Sequence, residues 1–332
     1  MAARTRYAPD RGLTVRMTAT MFLLGLVFVA FVALIIGIMT AAHASGASII
    51  LVAVIFGGGS AFISLFFSDK IALAAAGARE VTPQQAPELH GIVDRLCALA
   101  DMSKPRVAIS PARMPNAFAT GRNSEHSVLC VTEGLLYHSD LTQEELEGIL
   151  AHELSHVAHK DVQVMTYASL LAIVAGLLVR FAFYSELFGG ARRSNDGNAA
   201  LLIPLILLAS ALVYAISFLL IRLLSRYREL AADRSGALLT QNPSALISAL
   251  TKVSRGMNQI PTQDLRAAEP LNAFYFAPAM KLSGGRGRGG GGGGASLSAL
   301  FSTHPSLDKR IEQLSKIQRE LGQPGAEPRG LR

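Results

Sequence analysis

Residues Thr142–Asp161 read TQEELEGILAHELSHVAHKD, a stretch with its own helix-start signal and a metal-binding spacing inside it. Thr142 followed by Glu145 is a capping box, in which hydroxyl and carboxylate each satisfy a backbone amide that the first helical turn leaves without a partner. Leu146, Ile149, Leu150 and Val157 continue an apolar helical face, so His152 and His156 fall one turn apart on a single helix. At that spacing two imidazoles can converge on one metal ion. Glu153 between them completes the pattern H-E-x-x-H and is placed to act as base towards a water held there. With 8 histidines and 24 acidic residues in 332, chance gives this pattern in roughly one such chain per hundred. The competing reading is a helix with two solvent-exposed histidines near a membrane surface.

A zinc ion with two histidines needs a third protein ligand. A metzincin would carry it at position 162, after a glycine at 159; Val162 and His159 stand there and exclude that class. The remaining common solution is a carboxylate from another helix. Ser225–Gly236, SRYRELAADRSG, supplies Glu229 and Asp233 on one helical face, with small Ala232 and Gly236 beside them to allow close helix packing. Glu229 is therefore expected as third ligand of a single zinc, and Asp233 as the acceptor that fixes a histidine tautomer, that of His152. Alternatively, Arg226, Arg228, Glu229 and Asp233 form a charge-paired helix end at a membrane interface. Only three convincing ligands favour catalysis, because structural zinc sites are usually closed by four.

The rest of the chain is unusually apolar. Hydrophobic residues make up 50% and charged residues 17%, with a mean hydropathy of +0.35, which excludes both a disordered chain and an ordinary soluble domain. Met17–Ser68 contains no Asp, Glu, Lys or Arg, a run about twice the roughly 20 residues that cross a bilayer. A break at His43–Gly46 divides it into helices of about Met17–Ala41 and Ser48–Phe67. A cleavable signal peptide would be far shorter. Arg4, Arg6, Arg11 and Arg16 before the first span, with Lys70 and Arg79 after the second, place both ends in the cytoplasm. Two more apolar runs, about Val162–Tyr184 and Ala199–Leu224, are either true spans or a hairpin lying partly against the protein. Arg192 and Arg193 between them suit an outward loop poorly.

What remains can fold in water. Pro83–Asp101 reads as an amphipathic helix, with Leu89, Ile92, Val93, Leu96 and Leu99 or Ala100 inward. Arg106–Ser110 and Ser127–Val131 read as strands, Asn116–Thr120 as a third, and Asn242–Met257 as a helix. Asn116, Ala117, Phe118 and Ala119 could pair with substrate backbone as an added strand; the plain alternative is a strand ending in a turn at Gly121. Gly284–Gly294, with only Arg286 and Arg288 besides glycine, reads as a flexible loop, and its lack of aromatics argues against nucleic-acid binding. Cys97 and Cys130 read as buried apolar residues in a reducing compartment, and His159 as an exposed helix histidine.

Four ordered segments, PNAFATG (Pro115–Gly121), AHELSHVAHKD (Ala151–Asp161), RELAAD (Arg228–Asp233) and THPSLDKRI (Thr303–Ile311), follow the paired N-terminal spans. Together they make the chain resemble the HtpX-type membrane zinc metalloproteases, relatives of the CaaX prenyl proteases, over most of its length. It departs from them in the polyglycine insertion and at Lys160-Asp161, where Gly-Asp is expected; neither touches a proposed ligand. The resemblance implies cleavage of membrane proteins, including misfolded ones, on the cytoplasmic side of a bacterial inner membrane, in protein quality control and stress response. Within the last segment, His304 and Arg310 could stabilise an oxyanion or support the site; in isolation they read as a helix-start histidine and a surface arginine.

The expected fold is a mostly α integral membrane protein: two N-terminal transmembrane helices and a gluzincin-like α+β zinc peptidase domain with a small sheet, into which a second apolar hairpin is inserted. Its parts are a basic N-terminus (1–16), a transmembrane hairpin (17–69), a first catalytic part (70–161), the second hairpin (162–224) and a second catalytic part (225–332). The partners expected are polypeptide substrates and the lipid bilayer, with no nucleic acid; oligomeric state is open. A non-catalytic zinc-binding membrane scaffold is the alternative function. Proteolysis inside the bilayer is disfavoured by the polar flanks Thr142–Glu147 and His159–Asp161, and CaaX prenyl proteolysis by the chain's length and number of spans.

Overall fold

The computed structural model describes residues 11–41, 66–169, 197–259 and 303–322, with isolated positions at 59, 62–63, 172–173 and 175–176. The chain divides into two compact units, Met1–Thr14 with Phe66–Val162 and Ser225–Arg332, and Val15–Leu65 with Gln163–Leu224.

The second unit is helical where described. Helix α1 spans Arg11–Ala41, so it begins before Met17, because the backbone ladder continues into the basic flank that hydropathy does not mark. Leu24, Phe31, Ala168, Ala175, Val213 and Leu224 form its core, whereas Phe22 and Leu208 are 74% and 69% exposed. Small polar Thr20, Ser210 and Ser217 are buried instead. Large apolar groups outside and small polar ones inside suit a lipid surroundings, where burying hydrocarbon gives no driving force. Arg11–Phe31 and Leu207–Thr240 are long and apolar enough to cross a membrane. Most of the expected Ser48–Phe67 run, about half of the Val162–Tyr184 run and the glycine-rich segment lie outside the described residues.

In the first unit, strand β1 (Arg79–Glu80) precedes helix α2 (Pro87–Ala100). The helix buries Leu89, Ile92, Val93, Leu96, Cys97 and Ala100; Leu99 is exposed. Strands β2 (Arg106–Ser110), β3 (Ala117–Gly121) and β4 (Ser127–Thr132) follow. The sheet order is β1-β2-β4-β3, with β2 and β4 parallel and both outer pairs antiparallel, so β3 is an edge strand among the described residues. Phe118 faces Cys130 across β3 and β4, and both are fully buried. Gly121 ends β3 at φ +138, where an added Cβ would meet the His126 carbonyl oxygen at 2.2 Å, so only glycine fits.

Helix α3 (Glu133–His138) leads to α4 (Gln143–Ala158), whose capping box is formed: Thr142 Oγ1 accepts from the Glu145 amide and Glu145 Oε2 from that of Thr142. Ile149, Leu150, Ala151 and Leu154 of α4 join Leu246, Ala249, Leu250 and Val253 of α6 (Pro243–Gln259) and Leu314 and Ile317 of α7 (Leu307–Glu320) in one core. Helix α5 runs unbroken over Gly197–Thr240, so the fourth apolar run and the segment carrying Glu229 and Asp233 are one helix. Pro204 lies within it.

Candidate metal centre

Both histidines of α4 are held by the same logic. His152, fully buried, presents Nδ1 to Asp233 Oδ1 at 2.9 Å, and His156 presents Nδ1 to Asp161 Oδ2 at 2.5 Å. A carboxylate only accepts, so each ring donates from Nδ1, which leaves Nε2 as its metal-binding atom. Those two Nε2 atoms face each other at 3.2 Å. Two acceptors so close repel unless a cation stands between them.

Glu229 of α5 closes the group. Its Oε1 lies 3.6 Å from His156 Nε2 and its Oε2 3.8 Å from His152 Nε2. One ligand atom from each of His152, His156 and Glu229 lies within 4.8 Å of the others. A tetrahedral zinc bound at 2.0–2.1 Å would hold two nitrogens about 3.3 Å apart, so the donor set and its spacing fit such an ion. Close packing makes this possible: Ala232 is fully buried, and a Cβ on Gly236 would come within 2.9 Å of the His152 backbone nitrogen.

Glu153, 2% exposed, is outside that group of three and accepts a hydrogen bond from the Ala119 amide of β3 at 3.0 Å. Burial pushes its carboxyl up to about 8, aided by the negative charge of Glu229 and opposed by His156. Burial works in the other direction on His156, but the hydrogen bond and charge of Asp161, with Glu229 and Glu153, raise its imidazole to about 9. The cluster attracts a positive charge, and a proton takes that place when no metal does.

Of the remaining sequence candidates, His304 and Arg310 lie against this centre. His304 Nδ1 lies 3.1 Å from Glu229 Oε2, and Arg310 donates to both oxygens of Asp233 at 2.7 and 2.8 Å. Both side chains are buried, so neither is a plain surface residue. Asn116 accepts from the Ala117 amide through Oδ1, and Ala117 and Phe118 are fully buried. Cys130 is buried in β4. His159 is only partly exposed, with Nε2 3.4 Å from Ser235 Oγ, because α5 packs beside the end of α4.

Sequence reasoning missed Asp161 and Arg228. Asp161 was legible only as the last residue of a motif, and Arg228 as part of a charged helix end; in the fold they pair in the interior beside His156. Between His156 and Asp161, Lys160 adopts φ +55. Its departure from the expected Gly-Asp thus falls at a backbone conformation that glycine suits.

A helix bearing two histidines whose Nε2 atoms face each other, a carboxylate facing them and a further buried carboxylate alongside defines the class of metallopeptidases. The chain matches the model of peptidase family M48 over residues 83–318, and it belongs to that family. It is 54% identical to the protease HtpX homolog 1 of Streptomyces coelicolor over 97% of this chain and 98% of that one. It is 46% identical to the protease HtpX homolog of Moorella thermoacetica over 96% and 98%. A crystal structure of S. mikatae Ste24p is similar with a TM-score of 0.45 at 16% identity, covering 92% of this chain and 66% of that chain. The chain is a membrane metalloprotease, a hydrolase of peptide bonds.

Proposed function

We propose that this protein is a membrane-anchored zinc endopeptidase with His152, His156 and Glu229 as zinc ligands and Glu153 as general base. The two facing Nε2 atoms, with Glu229 beside both, carry this reading. When bound, the ion supplies Lewis-acid polarisation of a peptide carbonyl and activation of water. Glu153 takes the proton from the attacking water and delivers it to the leaving amine nitrogen; a carboxyl pushed towards neutrality by burial suits both transfers. Asp233 orients His152. The contacts of His304 and Arg310, on Glu229 and Asp233, favour their supporting the site over binding an oxyanion.

Substrate enters as an added strand along β3. Thr132 donates its amide to the Asn116 carbonyl, and strand alternation then turns the backbone of Ala117 and Ala119 away from β4; the Ala119 amide indeed faces Glu153. Such pairing reads main chain more than side chains, which suits polypeptides of many sequences, membrane or misfolded proteins among them. The catalytic domain combines residues 70–161 and 225–332 around the inserted apolar hairpin 162–224, with the hairpin 17–69 as anchor; the division into compact units supports this. Positive charge flanking the first spans supports a cytoplasmic active site at a bacterial plasma membrane, in protein quality control.

Glu153→Gln tests the reading. The amide keeps the shape and cannot take the proton, so zinc content should stay near wild type while cleavage of casein and of detergent-solubilised membrane proteins falls by at least about 100-fold. Equal inertness of zinc-loaded wild type and variant would replace the protease with the scaffold.

A further inference from the structure

The two histidines of α4 are each backed by a buried aspartate, and each aspartate by a buried arginine. Asp233 and Arg310 serve His152. On the other side, Asp161 Oδ2 accepts from His156 Nδ1 at 2.5 Å and is also paired with Arg228 Nη2. Asp161 is 3% exposed and Arg228 8%, so this is an interior ion pair and not a surface one. Asp161 reaches His156 only because the helix breaks. On an unbroken helix a residue five positions on lies about 140° round the axis. Here α4 ends at Ala158, Lys160 turns through φ +55, and the carboxylate comes back to the ring. Arg228 precedes Glu229 on α5, so one ion pair joins the backing of His156 to the helix that carries Glu229.

We infer that Asp161 and Arg228 are a positioning pair for the metal centre, with Asp161 fixing the His156 ring so that Nε2 faces the ion, and Arg228 fixing Asp161 relative to the helix of Glu229. The inference rests on His156 being a ligand. A buried ion pair that merely tied two helices together would behave differently. Removing both charges together usually restores stability, because no lone charge stays buried. It would not restore a lost ring orientation.

The experiment uses the full chain purified in detergent, with zinc affinity by chelator competition, the visible spectrum of the cobalt(II) form, and thermal melting of the metal-free protein. In the double variant Asp161→Asn/Arg228→Gln, melting should return close to wild type relative to Asp161→Asn alone, whereas zinc affinity stays down by about 10- to 100-fold. The cobalt spectrum should change as well. Asp161→Glu keeps the charge pair but moves the carboxylate by one methylene, and zinc affinity should again fall at least about tenfold. Wild-type zinc affinity in the double variant or in Asp161→Glu overturns the positioning pair. His156→Ala separates the two failures: if it loses zinc while the Asp161 variants keep it, only the pair is wrong, and if it too keeps zinc, the ligand reading falls with it.

Discussion

Gly236→Ala perturbs the centre without touching a ligand. A Cβ at position 236 lies 2.9 Å from His152 N, 3.2 Å from His152 Cα and 3.3 Å from the Ala151 carbonyl carbon. All three are backbone atoms of α4, so no side chain can rotate out of the way. Restoring an ordinary contact of about 3.5 Å requires α4 and α5 to part by roughly 0.5 Å. The ligand group, with the two Nε2 atoms 3.2 Å apart and the Glu229 oxygens Oε1 and Oε2 at 3.6 and 3.8 Å from those of His156 and His152, spans the same pair of helices. Metal–ligand distances tolerate only about 0.2 Å, so the site should open beyond what zinc accepts. Stability moves less, because alanine gains about 1 kcal/mol of helix propensity over glycine while overpacking costs about 1–3 kcal/mol. The expected result is a zinc affinity lower by at least about tenfold, measured by chelator competition, with metal-free melting changed by no more than about 2 kcal/mol. Gly91→Ala is the control: nothing lies within 4 Å of its Cβ, so it should stabilise α2 by up to about 1 kcal/mol and leave zinc binding alone. Wild-type zinc affinity in Gly236→Ala would refute the idea that the backbone approach of α5 to α4 sets the ligand spacing.

Glu229→Ala should strip most of the bound zinc, since two histidines alone hold the ion poorly; stoichiometric metal in that variant would point to another carboxylate. Zinc binding should release a proton at neutral pH. In the metal-free protein the His156 value stands at about 9, so below it the ion must displace that proton. Apparent affinity should therefore rise about tenfold per pH unit as pH climbs towards 9 and level off above; calorimetry in buffers of different ionisation enthalpy that detects no proton release would contradict this. Cysteines placed at Ser45 and at Ser139, in a chain lacking Cys97 and Cys130, should label oppositely with an impermeant thiol reagent added outside intact cells. Labelling at 139 and not at 45 would reverse the proposed topology.

The helical part of the centre was readable because its information is local. A capping box, an apolar stripe and the four-residue spacings of His152 with His156 and of Glu229 with Asp233 all lie within a few turns of one helix. The strands were readable too, from apolar runs at 106–110 and 127–131. Their order was not. The order β1-β2-β4-β3, which among the described residues puts β3 at an edge with its Ala119 amide on Glu153, joins residues whose partners no local period marks.

By itself, the sequence determined which residues share a helical face and that much of the chain is too apolar for water, since periodicity and hydropathy are properties of short segments. Only the tertiary structure decided which carboxylate backs which histidine. Asp161 reaches His156 through a left-handed turn at Lys160 that its own residue type does not announce. Arg228 and Arg310, ordinary surface residues by composition, became interior partners of Asp161 and Asp233 because α5 and α7 pack there. The His304 imidazole comes beside Glu229 across a long sequence separation. A buried charge must find its opposite, and that requirement is met in space, between residues far apart in the chain.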